Sequence, residues 1–349
     1  MHRPSVAVLG VGAMGIAIAT HLARSGYPIF ALATEYDSAV VRAWRDRLPH
    51  PALGIVIDPD ITVYPPEDWT DALARADLVV VAVSTPGLYP VLVKAAAHVP
   101  STAVWVLATK GWQPESLLTP SQVAAKVLGD GVPVVSLAGP GIAAEILVGS
   151  PTALLCASRD PAARRLVART LSSPSMLTMT TSDVAGAETA AAFKNVVAIA
   201  VGIGLGLSER FIESAFVRVF ANVRAAMFAR GMVDMVELAE ASGGRAGTVI
   251  GLAGSGDLYV TCVSGRNGRF GQLLGTGASP VQALRTIGST VEGVANTTAA
   301  LELAARYSID LPTARAVDLA LREELTGEHA AEQLRRLFEA ALHPATDDG

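Results

Sequence analysis

Five short stretches of the chain carry residues whose types and spacing could do chemistry. The first is Gly10-Val11-Gly12-Ala13-Met14-Gly15, a G-x-G-x-x-G series directly after an aliphatic run and directly before a helical pattern. In that setting Gly10 allows a tight turn and Gly12 lets a pyrophosphate approach the backbone. Gly15 lets the helix pack closely, and the positive end of the helix faces the phosphates. Glu35 follows 20 residues after Gly15, at the end of a second aliphatic run. A carboxylate there can accept hydrogen bonds from a ribose diol, which favours NAD(H) over NADP(H), although Arg42 or Arg45 could swing toward a 2′-phosphate.

The other four stretches are Ala108-Thr109-Lys110-Gly111, Ala138-Gly139-Pro140-Gly141, Phe193-Lys194-Asn195, and Gly254-Ser255-Gly256-Asp257 with Arg266-Asn267 beyond it. Lys194 is flanked by Ala190-Ala191-Ala192-Phe193 and Val196-Val197-Ala198. A lysine desolvated among such residues loses preference for its charged form and becomes a usable acid or base. Taken singly, each residue also has a plain structural reading. Lys194 could snorkel from a buried helix, Asp257 and Glu292 could cap helices, and Arg266 could be a solvated loop charge.

These residues need a scaffold, and the hydrophobic pattern supplies one. Short aliphatic runs predict strands over 6–9, 29–32, 61–63, 78–83, 103–108, 132–137, 152–156 and 177–179, alternating with helices over 13–25, 68–74, 89–97, 121–128 and 162–171. That rhythm predicts an α/β amino-terminal Rossmann-like domain with a parallel sheet over residues 1–182. After Asp183 the strand rhythm stops and alanine-rich helical periodicity takes over, which predicts an all-α carboxy-terminal domain over 183–349. The Thr181-Ser182-Asp183 cluster can cap its first helix. Substrate is expected in the cleft between the two domains.

Composition narrows the function classes. The 349 residues are 51% hydrophobic, 17% charged and only 5% aromatic, with 27 Lys+Arg against 32 Asp+Glu and a net charge of −5. An acidic chain without aromatic stripes is a poor partner for nucleic acid. Two cysteines, Cys156 and Cys262, in apolar stretches read as buried thiols in a reducing cytoplasm. No signal-peptide apolar core is expected. Nor is a membrane span, since the longest apolar run, 196–207, is short and holds three glycines. His21, His50, His98, His329 and His343 lack ligand spacing, so no metal is expected and they read as surface or terminal residues. Apolar faces over 294–305 and 317–325 could form a homodimer surface or could equally be core.

Taken in order, the specific stretches resemble the NAD(P)-dependent glycerol-3-phosphate dehydrogenase family over nearly the whole chain. They are GVGAMG, LATKGW, LAGPGIAAEILVGSPTA over 137–153, AAFKNVVAIAVGIGLGL over 191–207, GLAGSGDLYVTC over 251–262, GRNGRFG over 265–271, and VEG over 291–293. The resemblance implies reduction of a dihydroxyacetone-phosphate-like ketone, with Lys194 as proton donor and Lys110 on the same substrate. It further implies that Asn195, Asp257 and Thr261 orient lysine and substrate, with Gly139, Gly141 and Gly265 beside them. By the same resemblance Arg266 and Asn267 hold the phosphate or bridge to the cofactor. On the cofactor side it places Gly10, Gly12, Ala13, Met14, Gly15, Glu35, Lys110, Ala143, Arg266 and Glu292.

The chain departs from that pattern at several points. Gly141 stands where the family usually has a serine that touches substrate, and Ala13 and Met14 replace a serine and an aromatic. The segment 205–228 is longer than usual and the segment 263–265 is shorter. Two enzyme readings follow: ordinary glycerol-3-phosphate dehydrogenase, or a relative specialised for another small phosphorylated or anionic ketone. A cofactor-binding sensor without catalysis is a third, disfavoured because Lys194, Asn195 and Asp257 are all retained.

Overall fold

The computed structural model describes residues 3–210 and 221–322. The chain divides into two compact units, Met1–Glu188 and Thr189–Gly349. In the first, strands and helices alternate: β1 (Val6–Leu9), α1 (Ala13–Arg24), β2 (Ile29–Leu32), α2 (Ser38–Arg45), β3 (Thr62–Tyr64), α3 (Trp69–Leu73), β4 (Leu78–Val81) and α4 (Thr85–Ala96). They continue as β5 (Val104–Leu107), α5 (Pro120–Leu128), β6 (Val134–Ala138), α6 (Ala143–Leu147), β7 (Thr152–Ala157), α7 (Pro161–Leu171) and β8 (Met176–Thr181).

The eight strands form one sheet in the order β3-β2-β1-β4-β5-β6-β7-β8. Strands β1, β4 and β5, with sequences VAVL, LVVV and VWVL, are buried on both faces. Alternate residues therefore feed two cores. Val6, Val8, Val80 and Val106 pack with Ile16, Leu22, Val40 and Val41 from α1 and α2. Ala7, Leu9, Val79, Val81 and Trp105 pack with Trp69, Leu73, Leu88, Leu92 and Val123 from α3, α4 and α5. Leu9 is level with both Leu32 and Val81, so the ends of β1, β2 and β4 line up where strand order reverses, the place at which such sheets receive ligands.

One pair breaks the expected parallel pattern: β6 and β7 run antiparallel. The connection between them holds only the five-residue helix α6. A parallel crossover needs a longer return over the sheet face. The structure also adds α2 and α6, which the periodicity did not predict, and starts α4 at Thr85 rather than 89, with Pro90 inside the helix. Helix starts follow local chemistry. Asp160 accepts from the amides of Ala162 and Ala163 before Pro161 opens α7, and Thr119 and Gln122 form a capping box at α5.

Glu188, near the start of the long helix α8 (Val184–Arg210), ends the first unit and is buried. Its Oε1 accepts from Ser121 N at 2.8 Å and Ser136 Oγ at 2.6 Å, and its Oε2 accepts from Ser121 Oγ at 2.7 Å. Burial pushes this carboxyl above its ordinary value of 4.5, against the opposing hydrogen bonds. A carboxyl raised in the folded state binds more protons there than in the unfolded chain, so it costs stability as pH rises above about 4.5. Glu188→Gln keeps the Oε1 acceptor and offers an N–H to Ser121 Oγ. Its melting temperature should gain on the wild type progressively from pH 4.5 to neutrality. A difference independent of pH would contradict this.

The described residues of the second unit are helical: the rest of α8, then α9 (Ala221–Ala241), α10 (Ala246–Val249), α11 (Asp257–Ser264), α12 (Arg266–Gly275), α13 (Pro280–Ile287), α14 (Glu292–Tyr307) and α15 (Pro312–Leu321). Helices α8 and α12 approach backbone to backbone. A Cβ on Gly202 would overlap the Gly268 carbonyl oxygen, and one on Gly271 would overlap that of Ile199. Asp234 of α9 is fully buried, accepts from Arg230 Nε at 2.6 Å and from the amide of Thr313 at 2.8 Å, and so fastens α15.

Two expectations need correction. The stretch Val184–Glu209 is long and apolar enough to cross a membrane, with a mean hydropathy of 1.8, but 94% of its most apolar window is buried in the protein, as befits a core helix. A second stretch, Ala246–Ser264, also meets the length and composition test, at a mean hydropathy of 1.2. It is broken by a π-helical turn at Leu252–Gly256. His21 and His50 are buried rather than superficial, each hydrogen-bonded to a backbone carbonyl. His98 is exposed, while His329 and His343 lie outside the described residues. Of the two readings left open for the apolar faces over 294–305 and 317–325, core fits Ala299, Ala300, Leu303, Ala304, Val317 and Ala320, which are buried, while Ala295 and Ala305 are exposed.

Candidate functional site

The glycine loop joins β1 to α1. Gly10 has φ +93, its amide donates to Leu32 O at 2.9 Å, and a Cβ there would press on Ala82 O at 2.8 Å. Gly15 lies under the loop, where a Cβ would overlap the Gly10 carbonyl oxygen. Gly12 differs from both. It caps α1 without a side-chain hydrogen bond, and a Cβ on it would meet nothing within 4 Å. The loop thus presents open backbone at a helix N-terminus, with Ala13 and Met14 half-buried in the first turn. This cradle suits a dinucleotide pyrophosphate.

Two side chains that sequence reasoning passed over brace the loop. Asp37 Oδ2 accepts from Val11 N at 3.3 Å, Thr34 N at 2.8 Å and Thr34 Oγ1 at 2.7 Å. His50 Nε2 lies 3.0 Å from Val11 O, while its Nδ1 accepts from Ala52 N at 3.1 Å, a pattern that requires the Nε2–H tautomer. Both backbone groups of Val11 are therefore fixed from outside the loop. Asp37 stands at the N-cap position of α2, where aspartate is common, but its carboxylate accepts from Thr34 and Val11 and not from the helix amides. No local signal marked His50, since its contact spans 39 residues.

Glu35 is exposed and pairs with Lys94 of α4 at 2.6 Å. The hydrogen bond from Lys94 holds its carboxyl below the ordinary range. Lys110 follows β5, half-buried, and its carbonyl accepts from Thr85 Oγ1 at 2.8 Å. Gly139 closes β6 at φ +105, and Ala143 opens α6. A Cβ on Gly141 would sit 3.2 Å from Leu154 Cδ2, so a serine there would crowd the sheet.

In the second unit the lysine cluster assembles. Lys194 Nζ donates to Asp257 Oδ1 at 2.7 Å and to Thr261 Oγ1 at 2.8 Å, and Thr261 Oγ1 donates to Asp257 O at 2.6 Å. All three residues are buried. The π-helical turn at Leu252–Gly256 delivers Asp257 to the start of α11. Asn195 Oδ1 accepts from Asn267 Nδ2 at 2.9 Å, and Asn195 Nδ2 lies 3.4 Å from Glu292 Oε2. Asn267 Oδ1 accepts from Gly293 N at 2.9 Å, which ties α8, α12 and α14 together. Gly265 caps α12, and Arg266 at its first position is exposed, with no hydrogen bond or ion pair among the described residues.

Two short hydrogen bonds hold the ammonium in place. The cluster can therefore stabilise and protonate a developing alkoxide. Cys156 and Cys262 are free, and burial pushes both thiols up to about 12, so neither is a ready nucleophile. Among the described residues no group of three His, Cys, Asp or Glu side chains could hold a metal ion.

The amino-terminal part of the NAD-dependent glycerol-3-phosphate dehydrogenase family matches residues 5–164, and its carboxy-terminal part matches residues 183–332. The glycerol-3-phosphate dehydrogenase (NAD(P)+) of Xanthomonas campestris pv. campestris (strain B100) is 34% identical over 345 residues, 98% of this chain and 97% of that protein. That of Acidithiobacillus ferrooxidans (strain ATCC 53993 / BNL-5-31) is 36% identical over 98% of this chain and 96% of its own length. The crystal structure of glycerol-3-phosphate dehydrogenase from Coxiella burnetii superposes with a TM-score of 0.83 at 29% identity, covering 95% of this chain and 99% of that one. With nearly full-length identity above 30% and both family parts matched in order, this chain belongs to the NAD-dependent glycerol-3-phosphate dehydrogenase family.

Proposed function

We propose that this chain is an NAD(P)-dependent oxidoreductase that reversibly reduces dihydroxyacetone phosphate to glycerol 3-phosphate, with NAD(H) favoured over NADP(H) and Lys194 as the proton donor and acceptor. Residues 1–182 serve the dinucleotide and residues 183–349 the substrate. The observation that carries the reading is the buried Lys194–Asp257–Thr261 cluster, with hydrogen bonds of 2.7 and 2.8 Å from the ammonium. Bound NAD(P)H supplies a hydride to the ketone carbon, which places negative charge on the ketone oxygen.

Lys194 stabilises that oxygen and gives it a proton; in the reverse direction it takes the proton back. Asp257 and Thr261 hold the ammonium in place, and Asn195 positions the same helix turn through Asn267. Lys110 adds positive charge beside the substrate. Arg266, exposed and unpaired among the described residues, takes the phosphate, with Asn267 beside it. Gly10, Gly12 and Gly15 receive the pyrophosphate, Glu35 the ribose diol, and Glu292 is assigned to the cofactor as well.

Arg266→Ala tests the substrate class. The KM for dihydroxyacetone phosphate should rise roughly 10- to 100-fold, as expected for a lost charge-assisted contact, with kcat little changed. Turnover of phosphate-free dihydroxyacetone, which offers Arg266 no anion to hold, should not respond. An unchanged KM would remove Arg266 from the phosphate site.

A further inference from the structure

Lys94 is a charged group that the reaction above does not use. It rises from the last turn of α4, its Nζ donates to Glu35 Oε1 at 2.6 Å, and the same Nζ stands 4.3 Å from the centroid of the Trp69 ring. Trp69 is itself fixed, with its indole N–H donating to Ala33 O at 2.9 Å. Beside this pair opens a cavity of about 420 Å³ lined by Pro66, Glu67, Trp69, Thr70, Lys94 and His98. All of these residues belong to the first unit.

Glu35 lies three residues beyond the end of β2, where folds of this kind receive the adenosine ribose. A lone carboxylate at that place accepts the 2′- and 3′-hydroxyls and repels a 2′-phosphate. Here the carboxylate is not alone, because Lys94 cancels its charge. Lys94 and Glu35 are 39% and 59% exposed, and an ion pair that open to water is weak enough to be exchanged for another partner. The ammonium itself stands 4.3 Å from the centroid of the Trp69 ring, a cation–π contact that holds it at this place while Glu35 is exchanged for an incoming phosphate.

We propose that Lys94 is the specificity-determining residue that admits NADP(H): it pairs with the 2′-phosphate, whereas Glu35 accepts the diol of NAD(H). This rests on the dinucleotide reading of the glycine loop. One site then serves both cofactors, by moving one ammonium between a protein carboxylate and a ligand phosphate. The arginines of α2, Arg42 and Arg45, are the competing cations; they sit on the helix that packs over the opposite face of the sheet from α4.

Calorimetric titration with cofactor fragments tests this without turnover. Adenosine 2′,5′-bisphosphate carries the distinguishing phosphate, and adenosine 5′-monophosphate lacks it. Lys94→Ala should weaken the bisphosphate, and NADPH, by about tenfold or more, while the monophosphate and NADH change less than about twofold. Glu35→Gln should tighten the bisphosphate. Equal weakening of both fragments, no change in either, or a selective loss in Arg42→Ala or Arg45→Ala instead would overturn the assignment. Wild type that binds the monophosphate and NADH but not the bisphosphate overturns it and leaves the NAD(H) reading standing. Wild type that binds no fragment and no dinucleotide overturns both.

Discussion

Replacing Lys194 with alanine is expected to lower kcat for dihydroxyacetone phosphate reduction by roughly 10²- to 10⁴-fold, the usual worth of a positioned general acid. The Kd for NADH should move less than about twofold, because the proposed mechanism has the residue act on the ketone oxygen and gives the dinucleotide to the glycine loop. The variant also leaves Asp257 buried without its cation, and breaking a buried pair in this way costs about 3–5 kcal/mol. Loss of activity could then reflect loss of fold. Lys194→Ala combined with Asp257→Ala removes both charges and should recover most of the melting temperature while leaving kcat low. If the double variant recovers turnover together with stability, Lys194 is a structural residue and the proton has another source.

The second large effect belongs to Gly12. Its φ is −65, which alanine adopts freely, and a Cβ there meets nothing of the protein within 4 Å. Gly12→Ala should therefore fold with an unchanged melting temperature. The added methyl would enter the space that the proposal gives to the pyrophosphate, so affinity for NADH should fall by roughly 30-fold or more, about 2 kcal/mol. Gly15→Ala makes the contrast, since its Cβ would overlap the Gly10 carbonyl oxygen and disturb the loop itself. Equal NADH affinity in Gly12→Ala and wild type, measured by fluorescence titration, would place the pyrophosphate elsewhere.

How much of this was legible in the sequence follows from the range of each interaction. Strands β1, β4 and β5 were readable because a parallel sheet covered on both faces demands unbroken aliphatic runs. The glycine loop was readable because its requirements are local: a turn, a close approach and a helix start within six residues. The antiparallel β7 was not, since strand direction depends on how far α6 carries the chain and not on the strand's own pattern. Helix α2 sets buried Val40, Val41 and Ala43 against exposed Arg42 and Arg45, but at eight residues it gives barely two turns in which to read that period.

Site residues divide in the same way. Lys194 and Asp257 stood out as polar groups in apolar or glycine-dense surroundings, though their pairing spans 63 residues and no spacing rule announces it. The Lys94–Glu35 pair spans 59 residues and joins two ordinary surface charges, so nothing in either segment marks it. Ser121, Ser136 and Glu188 form their network the same way, by the folding together of α5, β6 and α8. Gly202 and Gly206 were visible, but their purpose, backbone contact with α12, appears only once the partner helix is placed.

The most direct test of the central claim is the initial rate of NADH oxidation by the wild-type chain at neutral pH, with dihydroxyacetone phosphate as the only ketone and the product identified. The reading predicts rapid, saturable oxidation with one glycerol 3-phosphate formed per NADH consumed, and slower turnover with NADPH. No oxidation with either cofactor, in protein shown by titration to bind NADH, would contradict the proposed substrate.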